Sequence, residues 1–443
     1  MVYHRTVTIQ KATPISAEET LKFFSLGFNP FNLTLSLVLR KELTSLLVDH
    51  IDNNKPLPYG LINEDAKFLL SCLYQGDVVN HSKSLSILEE LSSLSYPDAL
   101  YELGLAYYEG TLKLEIDKEK ALFYLFKASK AHSALAQYEL SVFYAKGILV
   151  SKDLDKSVKY LKKASHQGYE DAMNDLGFYY CQGLYVFQSY NKAVLLFKKA
   201  SANGQALAMG NLASCYQSGN GVKKDEEQAF KLYKQSAALG VVSSLYYLGL
   251  CYENGQGTPL NSPKGIECFT KAAEEGYDVA QYYLAQCYQK GIGVDISYEK
   301  ALKWYYLASN NGNIKAQLAL GYSYLYGTMC LKDYHKAYYW ISNAANFNNY
   351  DAMYYLGICY LNGYGVIKNP QTAFSYFLKS AKNGNVQAMY QTGFSYANGI
   401  GIFPNKREAI IWLKKAAKRG NDEAVSLLKK LKSNEYSEND EED

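Results

Sequence analysis

Six histidines, eight cysteines and a set of G-x-G turns are the features of this 443-residue chain whose types could do chemistry. The histidines (His4, His50, His81, His132, His166 and His335) would act as metal ligands or general bases only if gathered together. They share neither a metal-ligand spacing nor a common sequence context. Four cysteines, Cys215, Cys251, Cys287 and Cys359, recur at one period just before a tyrosine, so disulfides or metal binding between neighbours must be weighed. No C-x-x-C pair accompanies them, and Ser323 and Ser395 fill the same place elsewhere. The expected state is a buried, reduced thiol used as small apolar packing, with no metal. The glycine pairs Gly219/Gly221, Gly255/Gly257, Gly291/Gly293, Gly363/Gly365 and Gly399/Gly401 have the spacing of a phosphate loop. They follow helical rather than strand-like patterns and lack a third glycine, so turn geometry accounts for them. With no H-E-x-x-H, G-x-S-x-G or Walker sequence present, no catalytic residue and no cofactor are expected.

Composition narrows the class further. A formal charge of +3 offers no global attraction for nucleic acid or an anionic membrane. Hydrophobic residues at 48% and charged residues at 20% describe an ordered chain. The most apolar stretch, Phe23 to Leu39, is interrupted by Asn29, Pro30, Asn32, Thr34 and Ser36, too polar to span a bilayer. No signal peptide is readable, and Glu18 and Glu19 break a mitochondrial-type presequence early. The expected location is cytoplasmic, with nuclear and mitochondrial placement as the alternatives. Lysines recur on the second helical segments (Lys162, Lys163, Lys198, Lys199, Lys231, Lys234, Lys379, Lys414, Lys415 and Lys418) and read as a solvated outer face.

The elements that must position any site are set by a repeat. A small residue returns every 36 residues at Ala136, Ala172, Ala208, Ser244, Ala280, Ala316, Ala352, Ala388 and Ala424, with an earlier copy at Ala99. A period of this size signals stacked units, because one unit cannot bury its own apolar face. In the copy from Ala280 to Gly312, Ala280, Leu284, Ala285 and Tyr288 share one helical face. Gly291 and Gly293 end that helix, and Val294 is expected to tuck the loop back. A second helix then carries Ala301, Tyr305, Ala308 and Ser309 inward and closes at Gly312. The fold class is therefore all-α, built from helix–turn–helix hairpins. Gly104, Ser141, Gly177, Ala213, Gly249, Ala285, Gly321, Gly357 and Gly393 occupy one position and predict close stacking of hairpins. The framework tyrosines, Tyr107, Tyr144, Tyr180, Tyr216, Tyr252, Tyr288, Tyr324, Tyr360 and Tyr396, are expected to fill the gaps between hairpins.

The pattern Ala352-Met353-Tyr354-Tyr355-Leu356-Gly357, with Tyr360, Gly363-Tyr364-Gly365-Val366 and Ala373 through Gly384, resembles the Sel-1-like repeat (SLR) family over nine copies from about Ala99 to Gly420. Tetratricopeptide repeats fit less well, having a shorter period and no G-x-G turn. The resemblance implies a right-handed superhelical α-solenoid that holds protein complexes together. It also implies two more specific roles: a regulatory subunit of an enzyme, as in chitin synthase activators, or an adaptor of a membrane ubiquitin ligase. The C-terminal Asn439-Asp440-Glu441-Glu442-Asp443 lacks a prenylation cysteine. An enzyme is the contrasting class, since cysteine-rich bacterial relatives are linked to β-lactam chemistry; those carry paired cysteines eight apart in each repeat, which this chain lacks. Ser141, Thr392, His132 and Asn348 depart from the pattern at their positions.

Four segments are expected: residues 1–60, an N-terminal helical segment with Leu33–Ile51 amphipathic; residues 61–98, a degenerate repeat or cap; residues 99–423, nine repeats; and residues 424–443, a capping helix with an acidic disordered tail from Ser433. Ala66, Leu70, Ser71 and Tyr74, then Leu85, Leu88, Leu91 and Leu94, mark the degenerate pair. If first helices line a concave side, as in related solenoids, residues three positions into each repeat face a groove. These are Glu102, Glu139, Asp175, Asn211, Tyr247, Tyr283, Ala319, Tyr355 and Gln391, joined by Leu250, Tyr322, Ile358 and Phe394 six positions in. The series runs from acidic to aromatic. It predicts a protein-binding groove of Glu102, Glu139, Asp175, Tyr247, Tyr283, Tyr322, Tyr355 and Phe394, suited to an extended peptide or helix with a basic and an apolar end. The expected partners are one or more proteins, a second copy of the chain included, with no nucleic acid and no membrane insertion.

Overall fold

The structure, a computed structural model, describes residues 17, 20–21, 37–53, 62–76 and 78–439. Leu35 and residues 440–443 lie outside them, as does most of the segment before residue 37. The chain divides into two compact units, Met1–Lys224 and Asp225–Asp443.

In the first unit the helices are α1 (Leu37–Asp52), α2 (Asn63–Gln75), α3 (His81–Ser93), α4 (Pro97–Glu109), α5 (Lys118–Lys130), α6 (Ala134–Lys146), α7 (Leu154–His166), α8 (Glu170–Gln182), α9 (Tyr190–Ala202) and α10 (Ala206–Ser218). The second holds α11 (Glu226–Ala238), α12 (Val242–Asn254), α13 (Ser262–Glu274), α14 (Asp278–Lys290), α15 (Tyr298–Asn310), α16 (Ile314–Tyr326), α17 (Tyr334–Asn346), α18 (Tyr350–Asn362), α19 (Pro370–Lys382), α20 (Val386–Asn398), α21 (Lys406–Lys418) and α22 (Asp422–Asn439). No strand occurs among the described residues. The fold is all-α and made of tandem hairpins.

Both ends of these short helices are fixed by chemistry that recurs with the repeat. Asp117, Asp153, Ser189, Asp225, Asn261, Ser297, Asp333, Asn369 and Asn405 each accept a backbone N–H bond as the N-cap of a second helix. First helices end at a left-handed glycine, such as Gly291 at φ 75°. Where a second helix lacks its closing glycine, His132 (φ 68°) and Asn348 (φ 59°) take the same left-handed conformation, so the departures leave those junctions regular.

Packing inside a hairpin corrects one expectation. The small residue after the leucine serves the two helices of a single hairpin, not the stacking of one hairpin on the next. A Cβ on Gly249 would lie 2.6 Å from a ring carbon of Phe269, and one on Gly357 equally close to Phe377, each on the partner helix of the same hairpin. Spacing identifies a shared face but does not say which neighbour that face meets. The framework tyrosines lie between hairpins as expected: Tyr252, Tyr360 and Tyr396 meet Phe230, Tyr338 and Phe374 of the preceding hairpin, with ring centroids 5.3, 5.9 and 5.0 Å apart. Only Tyr144 is buried, and the rest are half-buried. Their rings also lean on the second helix of their own hairpin, as in the flat Tyr107–Tyr124 and Tyr360–Tyr376 pairs at 5.6 and 5.8 Å. In six hairpins a lysine three residues beyond the N-cap lies 5.1–5.7 Å from the tyrosine ring centroid (Lys120, Lys156, Lys192, Lys264, Lys300 and Lys336). A cation over the ring face keeps one side of each tyrosine near solvent.

The core is a chain of small clusters. One joins Ala285, Ala301, Tyr305 and Ala308 of one hairpin to Ala316, Leu320 and Trp340 of the next. Ahead of the regular array, Leu43 and Leu47 of α1 pack with Ala66, Leu69 and Leu70 of α2. Leu88 and Leu91 are buried while Leu94, beyond the end of α3, is exposed. At the far end Leu427, Leu428 and Leu431 of α22 pack against Ala424, Trp412 and Leu413. Helix α22 continues to Asn439, so the segment from Ser433, expected to be disordered, is helical that far.

Candidate protein-binding faces

The sequence-predicted residues fall into two sets, one in each unit. In the first unit, Glu102 on α4, Glu139 on α6 and Asp175 on α8 are half-buried carboxylates on successive first helices. Glu102 accepts a bond from the Gln75 amide at 3.3 Å. Burial, reinforced by the charges of Asp98 and Glu109 and opposed by the Gln75 bond, pushes its carboxyl up to about 7. Burial also raises Glu139 and Asp98. Asp175 accepts bonds from the Tyr138 hydroxyl (2.8 Å) and the Asn174 amide (3.1 Å), and Asn211 donates to Asn174 at 2.8 Å. Glu102 and Asp175 are held by these bonds, and all three carboxylates are partly withdrawn from water, the state in which a cationic side chain gains most from pairing with them.

The raised Glu102 makes a direct prediction. The unfolded carboxyl ionises near 4.5 and the folded one near 7, so the folded state holds the extra proton between those values. Stability contributed by this group therefore falls as pH rises through that window. Relative to wild type, Glu102→Gln should gain thermal stability as pH rises from about 4.5 to 7, and the gain should level off above. Melts of both proteins across this range check it; a difference independent of pH would contradict the raised carboxyl.

In the second unit the set is aromatic. Tyr247 on α12 stacks on Tyr233 at 5.3 Å and stays 37% exposed. Tyr283 on α14 is half-buried, with its ring 4.7 Å from Phe269 and 5.9 Å from Tyr246. Tyr322 on α16 lies 4.7 Å from Tyr326 and 5.6 Å from Tyr355 on α18, and Tyr326 is 6.3 Å from Tyr355. Tyr322 and Tyr326 are 40% and 43% exposed, whereas Tyr355 and Phe394 are half-buried. Phe394 on α20 sits 6.0 Å from Tyr390. Burial pushes the phenols of Tyr246 and Tyr354 up to about 12 and raises Tyr283 and Tyr355, so all remain hydroxyl donors at neutral pH. Sequence reasoning missed Tyr326. Its signal was the spacing of four from Tyr322, one helical turn along the same face.

The thiols and lysines occupy the places foreseen for packing and solvation. All eight cysteines are free, and Cys215, Cys251, Cys287 and Cys359 are buried. Burial pushes Cys251 up to about 11 and Cys287 and Cys359 up to about 12, which suppresses thiolate chemistry at neutral pH. Most second-helix lysines are exposed, Lys162 being half-buried. Among the described residues no His/Cys/Asp/Glu group is placed to hold a metal, and no helix is long and apolar enough to cross a membrane.

Capped short helices, left-handed glycine stops and neighbour-to-neighbour cores define a tandem helical-hairpin protein of the solenoid class. Nine segments, residues 97–133, 134–169, 170–205, 206–241, 242–277, 278–313, 314–346, 351–385 and 386–421, match the Sel1 repeat, and the chain belongs to that family. Among solved structures it is similar to a protective antigen of uropathogenic Escherichia coli that displays an SLR fold, with 25% identity over 94% of this chain and 90% of that one and a TM-score of 0.63. It is also similar to a Sel1 repeat protein from Oxalobacter formigenes, with 29% identity over 70% and 90% of the two chains and a TM-score of 0.50. No curated protein matches the chain.

Proposed function

We propose that this protein is a non-catalytic scaffold that binds other proteins through the outward faces of its first helices. The observation that supports this most is the exposure of Tyr247, Tyr322 and Tyr326 within an otherwise packed aromatic lattice. Rings held by their neighbours offer large apolar area with little side-chain entropy left to lose on binding, and aromatic anchors dominate protein interfaces. The carboxylate set Glu102, Glu139 and Asp175 supplies the complementary preference, for basic side chains. A basic peptide suits the first set and an aromatic or branched apolar one the second.

Peptide display on the purified full chain tests this. Enriched sequences should be of two kinds, one rich in Arg and Lys and one rich in aromatic or branched apolar residues. The variant Tyr247→Ser, Tyr322→Ser, Tyr326→Ser should bind the second kind roughly 30-fold or more weakly, as expected for loss of hot-spot anchors. Glu102→Gln with Glu139→Gln should weaken chiefly the basic peptides. Unchanged affinity in the tyrosine variant would rule out this face.

A further inference from the structure

The turns of the second unit carry a feature that the first-helix faces do not explain. Every complete hairpin there places one large apolar side chain in exposed turn backbone, two residues or one before the N-cap of its second helix: Leu260, Ile296, Leu331, Ile367 and Phe403. The last three occupy the same repeat position and are 91%, 88% and 89% exposed. Other apolar residues of the same turns behave differently. Val366, adjacent to Ile367, packs into the hairpin core. The loop therefore has a core-facing apolar residue already, while Ile367 stands 88% exposed.

The charge around these three tips is one-sided. Residues 331–336, 367–372 and 403–408 hold five basic side chains, Lys332, Lys336, Lys368, Lys406 and Arg407, against two acidic ones, Asp333 and Glu408. Asp333 is committed as an N-cap and to Lys336 at 3.2 Å. The near-neutral total of the chain conceals this local excess.

We infer that Leu331, Ile367 and Phe403 insert into an anionic phospholipid surface, with Lys332 and Lys368 beside them contacting the headgroups. Side chains this exposed do not touch one another, so they form separate protrusions and no continuous patch. A protein partner would need a preformed pocket for each, whereas acyl chains close around isolated protrusions without one. Apolar insertion and lysine–headgroup attraction reinforce each other at such a surface, and together they give reversible peripheral binding. This surface lies in the turns and is independent of the tyrosine face proposed above.

Flotation of the full chain with phosphatidylcholine vesicles, with and without phosphatidylserine, tests the inference. Binding is expected only with phosphatidylserine and should weaken with added salt. Leu331→Ser, Ile367→Ser, Phe403→Ser should lower partitioning at least roughly tenfold, and Lys332→Glu with Lys368→Glu should do the same. Surface substitutions at such exposed sites leave folding intact, which a thermal melt verifies. Phe403→Trp supplies a direct reading, a blue shift of emission on phosphatidylserine vesicles. Tyr247→Ser, Tyr322→Ser, Tyr326→Ser should float like wild type. No flotation with either vesicle, flotation indifferent to the triple tip substitution, or tips that prove to be needed only for capture of a protein partner would each overturn the inference.

Discussion

Substituting Gly365 by alanine should destabilise the second unit by about 2–5 kcal/mol, combining left-handed backbone strain with overpacking. Gly365 is the second glycine of a G-x-G turn, at φ 68°. A Cβ there would collide with the backbone carbonyl of Tyr334, at the start of the second helix of the preceding hairpin. Backbone at a capped helix start cannot swing aside as a side chain can. The second glycine at Gly365 thus permits a close approach between consecutive hairpins, as do Gly257 and Gly401, where a Cβ would also collide with backbone of the preceding hairpin. Gly312→Ala is the matched control. Its φ is 88°, but nothing lies near its missing side chain, so it should cost only about 1–2 kcal/mol. Urea unfolding of the full chain, with amide exchange followed at residues 350–362, distinguishes the two. Equal losses would show that backbone strain alone matters at Gly365.

The second large effect is expected at Phe269, whose ring is buried beneath Gly249 and packs against Tyr246 and Tyr283. Phe269→Ala should cost about 3–5 kcal/mol, since the rigid helix pair cannot collapse into the space. Tyr288→Ala should cost less, about 1–3 kcal/mol, because Tyr288 is half-buried with Lys300 over its ring. Melts of the two variants side by side give the ordering. A greater loss at Tyr288 would mean that the framework tyrosines, not the second-helix aromatics, hold the hairpins together.

That contrast marks where sequence reading stops. Period, helix faces and glycine stops were legible because each rests on local geometry repeated nine times. Ala301, Tyr305, Ala308 and Ser309 are buried together as their spacing implied. The partner of each face was not legible. Gly249 and Tyr252 lie on the same stripe of α12, yet Gly249 meets Phe269 of its own hairpin while the Tyr252 ring meets Phe230 of the preceding one. The recurrent Asp, Ser or Asn N-caps are equally visible in the sequence. For the binding faces, positions three and six residues into each repeat located Tyr247 and Tyr322. How much of each ring remains exposed depends on neighbours such as Tyr233 and Tyr326, which no single-repeat pattern encodes. The loop tips were harder still. Val366 and Ile367 are adjacent and chemically alike, and only the path of the turn sends one inward and the other out.

Because each apolar cluster draws only on adjoining hairpins, the array has no central keystone. Duplicating residues 278–313 would hand every new junction a familiar neighbour, so the protein can lengthen or shorten in whole 36-residue steps without redesign elsewhere. Reach toward a partner thereby becomes a quantity evolution can adjust by gene duplication, separately from the side chains that choose the partner.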